Sequence, residues 1–142
     1  AIAGMRRINR AASEVLVGLG PGVHATTDVT GFGLFGHAWE VAERSDVVVE
    51  LDLDAVPAYP GAREAADRGT RTGGDPRNRT YLEGHLAVDA GVGEGAEALG
   101  FDPQTSGGLL AAVDPSSVGA CEDAGFALVG RVDAGPASVR AV

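Results

Sequence analysis

His24-Ala25-Thr26-Thr27-Asp28-Val29-Thr30-Gly31-Phe32-Gly33-Leu34-Phe35-Gly36-His37 is the stretch on which the fold turns. Val23 to Val29 reads as a short extended piece, and Thr30 with the glycine run as a turn. Beyond it, Leu34, Phe35, Ala38, Trp39 and Ala42 recur at helical spacing and make one apolar face, so a helix is expected to about Arg44. A carboxylate beside a glycine-rich turn at a helix start suits a nucleotide phosphate. The helix end presents free N–H groups and partial positive charge. Asp28 has the hard oxygen that Mg²⁺ prefers, and glycine removes the Cβ that would hold phosphates away. The same residues also fit a capped helix with glycine at a crowded crossing, and local chemistry leaves both readings open.

Upstream, residues 2–19 read as one amphipathic helix, with Ile2, Met5, Ala12, Val15, Leu16 and Leu19 opposite Arg6, Arg7, Arg10 and Glu14. Gly18, Gly20 and Pro21 end it. No apolar segment follows Arg6 and Arg7, so no secretory leader is expected. A chain that opens inside a helix is expected to be a piece of a longer protein. Downstream, Val47 to Leu53 is the clearest strand, and Ala62 to Arg68 a helix ended by Gly69. Residues 69–80 form a polar, glycine- and arginine-rich loop, long enough to suggest function. Its guanidinium groups suit phosphate, although a solvated surface loop has the same composition. Tyr81 to Asp89 is ambiguous, and Glu94 to Leu99 a short helix. Leu109 to Val113 suits a buried strand. Pro115 to Ala124 suggests a helix capped by Asp114. Phe126 to Val132 and Ala137 to Val142 read as two closing strands joined by the turn Asp133-Ala134-Gly135-Pro136. This alternation predicts a single α/β (α+β) domain, a mixed sheet with helices packed on it.

Composition narrows the function classes. The chain has 142 residues, a net charge of −9 and no lysine, which argues against a nucleic-acid partner. Its apolar runs are too short to span a bilayer, and a cytoplasmic location is the default expectation. Cys121 is the single cysteine; it excludes an internal disulfide and reads as a buried thiol. His24, His37 and His85 lack the spacing of a helical metal pair and are read as structural. Gly31, Gly33 and Gly36 match the dinucleotide pattern, with Glu50 and Asp52 about 20 residues on. The preceding residues Thr26, Thr27 and Asp28 are not the apolar strand that pattern requires, and the other βαβ units are missing. Asp102-Pro103-Gln104-Thr105-Ser106-Gly107-Gly108-Leu109-Leu110 is a second stretch rich in hydrogen-bonding groups; by composition it is equally a turn entering a strand.

Together these stretches resemble a known family. HATTDVTGFGLFGH (24–37) is similar to the signature opening the C-terminal half of selenophosphate synthetases, and DPQTSGGLL (102–110) to that family's second C-terminal signature. GTRTGGDPRNRTYL (69–82) resembles the intervening loop. Asn9-Arg10-Ala11-Ala12 resembles the segment joining the two halves. The resemblance implies a domain of the aminoimidazole ribonucleotide synthetase-like type, with residues 1–20 as a linking helix and 21–142 as the domain. It also implies an N-terminal half that forms the homodimer and supplies most of the ATP site. The implied reaction takes selenide, ATP and water to selenophosphate, AMP and phosphate, with Mg²⁺. Asp28 falls on the family's metal-binding aspartate. Thr27, Thr30, Gly31 and Gly33 become phosphate neighbours, and Asn78, Thr105, Ser106 and Gly107 candidates for the same cleft. The family's catalytic lysine and cysteine or selenocysteine loop belong to the other half, and Cys121 does not match the reactive position. The chain by itself is therefore expected to be inactive. A related ATP-dependent synthetase and a non-catalytic nucleotide- or partner-binding module are the alternatives.

Overall fold

The computed structural model describes residues 2–142. In chain order the helices are α1 (Ile2–Met5), α2 (Arg10–Leu19), α3 (Gly33–Ser45), α4 (Ala62–Asp67), α5 (Asp75–Tyr81), α6 (Glu94–Phe101) and α7 (Val118–Asp123). The strands are β1 (Val23–Asp28), β2 (Val47–Leu51), β3 (Leu86–Val88), β4 (Leu109–Val113), β5 (Gly130–Ala134) and β6 (Ser138–Ala141). A mixed four-stranded sheet has the order β3-β6-β2-β5, and β1 with β4 forms a separate antiparallel ribbon.

The apolar face of α3 lies on the four-stranded sheet. Phe35, Ala38, Trp39 and Ala42 join Val49, Leu51, Val139 and Ala141 in one buried cluster, completed by Leu82 and Phe101. Phe35 meets Phe101 edge to face, with ring centroids 5.0 Å apart. Gly100 makes that contact possible, because a Cβ there would lie 2.2 Å from the Phe35 ring. The other sheet face is polar. Glu50 is paired with Arg131 on β5 at 2.8 Å and Arg140 on β6 at 3.4 Å, the residues directly opposite it in register. The hydrogen bond that Arg131 donates to Asp133, and then attraction to Glu50, raise the Arg131 pKa, so that guanidinium stays charged.

Several expectations are corrected. Residues 2–19 are two helices, since α1 stops at Met5 and α2 starts again after Asn9. Their apolar stripe is largely unburied: Ile8 and Val17 are exposed, and Leu16 is the one buried residue of α2. Without a covered face there is little to hold one long helix together. The second half of the 69–80 loop is helix α5, with Pro76 in its first turn, where the missing N–H costs nothing, and Asp75 at its positive end. Leu109 to Val113 is half-exposed rather than buried, because it pairs with β1 alone. Residues 115–124 divide into a 3₁₀ turn and α7, and Asp114 holds the N-cap position of the turn without a capping bond from its side chain. Its carboxylate lies 2.8 Å from His24 Nε2 instead. The closing strands do not pair with each other: β2 lies between them, and residues 135–137 cross over its start. β5 also begins later than expected, at Gly130, where a Cβ would sit 1.9 Å from the Glu50 carbonyl. Cys121 is buried, as its neighbours suggest.

Candidate functional site

The glycine-rich stretch forms a turn between the end of β1 and the start of α3. Asp28 is the last residue of β1 and is exposed. It is therefore at a strand end, separated from the helix by Val29 to Phe32, and not at the helix start expected from the sequence. Val29 is buried and bonded on both sides to the second signature stretch. Its N–H donates to the Gly108 carbonyl at 3.0 Å, and its carbonyl accepts from the Gly107 N–H at 3.0 Å. The Gln104 N–H donates to the Thr30 carbonyl at 2.9 Å. A Cβ on Gly107 would lie 2.7 Å from the Val29 carbonyl, so glycine is needed for this approach.

Asn78 brings in the third stretch. Its side chain is fully buried, and its Nδ2 donates to the Gly31 carbonyl at 3.0 Å and to the Phe101 carbonyl at 2.9 Å. The amide group thus braces the turn from beneath and is not presented to solvent. Gly33 is packed as closely: it has φ +71°, and a Cβ there would lie 2.7 Å from the Gly100 carbonyl. Three stretches far apart in sequence therefore meet at one turn. Thr30, Gly31, Gly33, Asn78 and Gly107 all belong to this contact network.

Other candidates stand further out. The Thr27 hydroxyl donates to the Asp28 carbonyl at 3.3 Å. Thr105 is exposed, and the Ser106 hydroxyl donates to the Arg7 carbonyl at 2.6 Å, tying the loop to the segment between α1 and α2. The arginines of the 69–80 stretch are mostly engaged within the chain. Arg71 pairs with Glu94 at 2.9 Å. Arg79 pairs with Asp75 at 3.0 Å and Glu97 at 2.5 Å, and lies 4.2 Å over the Phe101 ring. Partial burial works against its charge, but these two carboxylates prevail and the Arg79 pKa is raised. Arg77 is exposed. Arg79→Lys is expected to lower stability by about 1 kcal/mol, since lysine cannot fork between two carboxylates while stacking on a ring. A urea unfolding midpoint unchanged from that of the native chain would refute this role.

Two groups beside the turn were not site candidates from sequence, and His37 was read there as structural. His37 is buried, with Nε2 3.1 Å from Thr30 Oγ1 and Nδ1 2.9 Å from Glu40 Oε2. Phe32 stacks on Tyr81 at 5.1 Å. Burial, then the charges of Glu40 and Glu43, raise the Tyr81 pKa, so its phenol stays neutral through the physiological range. The spacing of His37 and Glu40, three residues apart on a helix, was the legible signal for their contact.

A Mg²⁺ ion needs about six oxygen ligands. Among the described residues no group of three or more His, Cys, Asp or Glu side chains is placed to hold a metal. Asp28 fits as one hard ligand and cannot form a metal centre by itself. Among the described residues, no helix is long and apolar enough to cross a membrane.

Residues 3–142 match the family described as AIR synthase related protein, C-terminal domain. The chain is 47% identical over 109 residues to a selenide, water dikinase of Caldanaerobacter subterraneus subsp. tengcongensis, covering 77% of this chain and 31% of that protein. It is 43% identical over 114 residues to a selenide, water dikinase of Nitratidesulfovibrio vulgaris, covering 80% and 32%. A selenide, water dikinase of Pseudomonas straminea is 38% identical over 125 residues, covering 83% and 35%. The chain thus spans about a third of the length of these curated relatives. With a mixed sheet, helices packed on it and a match running through nearly every residue, the chain belongs to the AIR synthase related protein, C-terminal domain family.

Proposed function

We propose that this chain is the C-terminal part of a selenophosphate synthetase, in which the Gly31–Gly33 turn lies against the phosphates of ATP. One observation carries the reading: three stretches that resemble that family's signatures meet at this turn, in a chain similar to several selenide, water dikinases. Bound Mg²⁺ would neutralise phosphate charge, and Asp28 would supply one oxygen ligand to it. The remaining ligands and the reactive groups come from an N-terminal half of the same enzyme, which also forms the homodimer. The turn offers backbone approach at Gly31 and the N-terminus of α3, which no side chain caps. Asn78 and Gly107 hold the turn in place, whereas Thr27, Thr30, Thr105 and Ser106 offer hydroxyls around it. The protein acts in the cytoplasm on selenide and ATP, and the isolated chain is inactive.

Gly31 provides a clean test. It is exposed, its φ is not positive, and a Cβ there would meet nothing within 4 Å. The fold therefore has no need of glycine at this position. Gly31→Ala in the full-length enzyme is expected to stay within about 1 kcal/mol of native stability and to lose roughly tenfold or more in kcat/KM for ATP. Asp28→Asn is expected to cost about a hundredfold or more in the same ratio. Selenophosphate is followed by phosphorus NMR and AMP release in parallel. No selenophosphate from the native full-length enzyme would sink the assignment. Full activity in Asp28→Asn would keep the family and remove the metal role.

A further inference from the structure

Thr30, His37 and Glu40 form a continuous hydroxyl–imidazole–carboxylate chain at the turn. Thr30 Oγ1 is 3.1 Å from His37 Nε2, and His37 Nδ1 is 2.9 Å from Glu40 Oε2. The His37 side chain is 7% exposed and that of Glu40 31%. His37 sits in the first turns of α3, where the backbone brings its ring back over Thr30, seven residues earlier. An ionised carboxylate can only accept, so Nδ1 carries a proton and donates it to Glu40. The hydrogen bond at one ring nitrogen sets the role of the other. In the neutral ring Nε2 is then an acceptor, and the single hydroxyl proton of Thr30 is donated inward to it.

We propose that His37, oriented by Glu40, is a positioning residue that holds the Thr30 proton inward, so that Thr30 presents oxygen lone pairs to the ligand at the turn. The ligand group that Thr30 meets is therefore electropositive: a cation or its coordinated water, and not a bare phosphate oxygen. Phosphate oxygens would be met by the backbone N–H groups of the turn. This rests on the reading that a nucleotide with its cation occupies the turn, but the state of the chain of hydrogen bonds can be measured without any ligand.

The first measurement is nitrogen-15 NMR of the His37 imidazole in the full-length enzyme, free of nucleotide and metal. The expected result is a neutral ring protonated at Nδ1, with Nε2 accepting a hydrogen bond, and loss of that Nε2 signature in Thr30→Val. A ring protonated at Nε2, or at both nitrogens, at neutral pH would overturn the proposal whatever the enzyme does. The second measurement uses the full-length enzyme and titrates Mg²⁺ at saturating ATP. Thr30→Val and His37→Phe are each expected to raise the Mg²⁺ concentration for half-maximal rate by about tenfold. The double variant is expected to be no worse than either, because the two act as one unit. Thr30→Ser, which keeps the hydroxyl, restores the native value. Additive losses, or a change confined to the ATP dependence, would overturn the positioning role. An inactive native enzyme would count against the proposed reaction and leave the NMR result to decide the hydrogen-bond chain.

Discussion

Gly33→Ala is expected to destabilise the chain by roughly 3 kcal/mol or more. Two costs combine. A left-handed backbone, here φ +71°, costs a residue with a Cβ about 1–2 kcal/mol. The new methyl would also lie 2.7 Å from the Gly100 carbonyl and 2.8 Å from the Phe101 carbonyl carbon. Those are backbone atoms at the end of α6, and Phe101 cannot retreat because it packs edge to face on Phe35. Relief must come from moving α3 against α6, which disturbs the centre of the core. In thermal unfolding the midpoint should fall by about 10 °C. An unchanged midpoint would mean that the close approach of α3 and α6 is not as described. Gly31→Ala, two residues earlier, is the internal control: the same chemical change at an open position with ordinary backbone should leave the midpoint nearly unaltered.

Asn78→Asp should be comparably severe, at about 3–5 kcal/mol. The change keeps size and shape, so packing is held constant. It removes both donors from a side chain that is fully buried. The carbonyls of Gly31 and Phe101 lose their partner, and a carboxylate oxygen is placed against them. Unmade buried hydrogen bonds and an unpaired buried charge both carry large penalties. Among the described residues, Asn78 Oδ1 and Asp75 Oδ2 already lack a bonding partner, so none of these offers a nearby donor to the new charge. Asn78→Ala should cost less, about 2–3 kcal/mol, because it leaves a small cavity and orphaned carbonyls but no charge. Urea unfolding distinguishes the two. If Asp were tolerated better than Ala, Asn78 would be filling space and not bracing the turn.

How legible this was differs by element, for physical reasons. Helix α3 and strand β2 could be read from residues alone, because each buries one face and that face leaves a period in the sequence. Helix α5 could not. Its residues Asp75, Pro76 and Asn78 are weak helix formers or turn formers taken singly. The helix exists because Asn78 is anchored from outside it by the carbonyls of Gly31 and Phe101, while Arg79, within the helix, pairs with Asp75 four residues earlier and reaches out to Glu97. The break between α1 and α2 was hidden for the converse reason. An apolar period was present, but its stripe found little to cover it.

The candidate site divides in the same way. From sequence came the strand–turn–helix order, the acidic residue before a glycine-rich turn, and the family to which the three motifs point. All of these depend on residues close together in the chain. Only the tertiary structure decided which glycines serve the fold and which leave room at the surface: Gly33 meets the end of α6, while Gly31 meets nothing. Likewise it turned Asn78 from a possible phosphate contact into a buried brace, and placed His37 between Thr30 and Glu40. Hydrogen bonding and close packing act over a few ångströms of space irrespective of chain separation. Gly31 and Asn78 stand 47 positions apart, and the chain between them leaves no mark of that contact in the sequence.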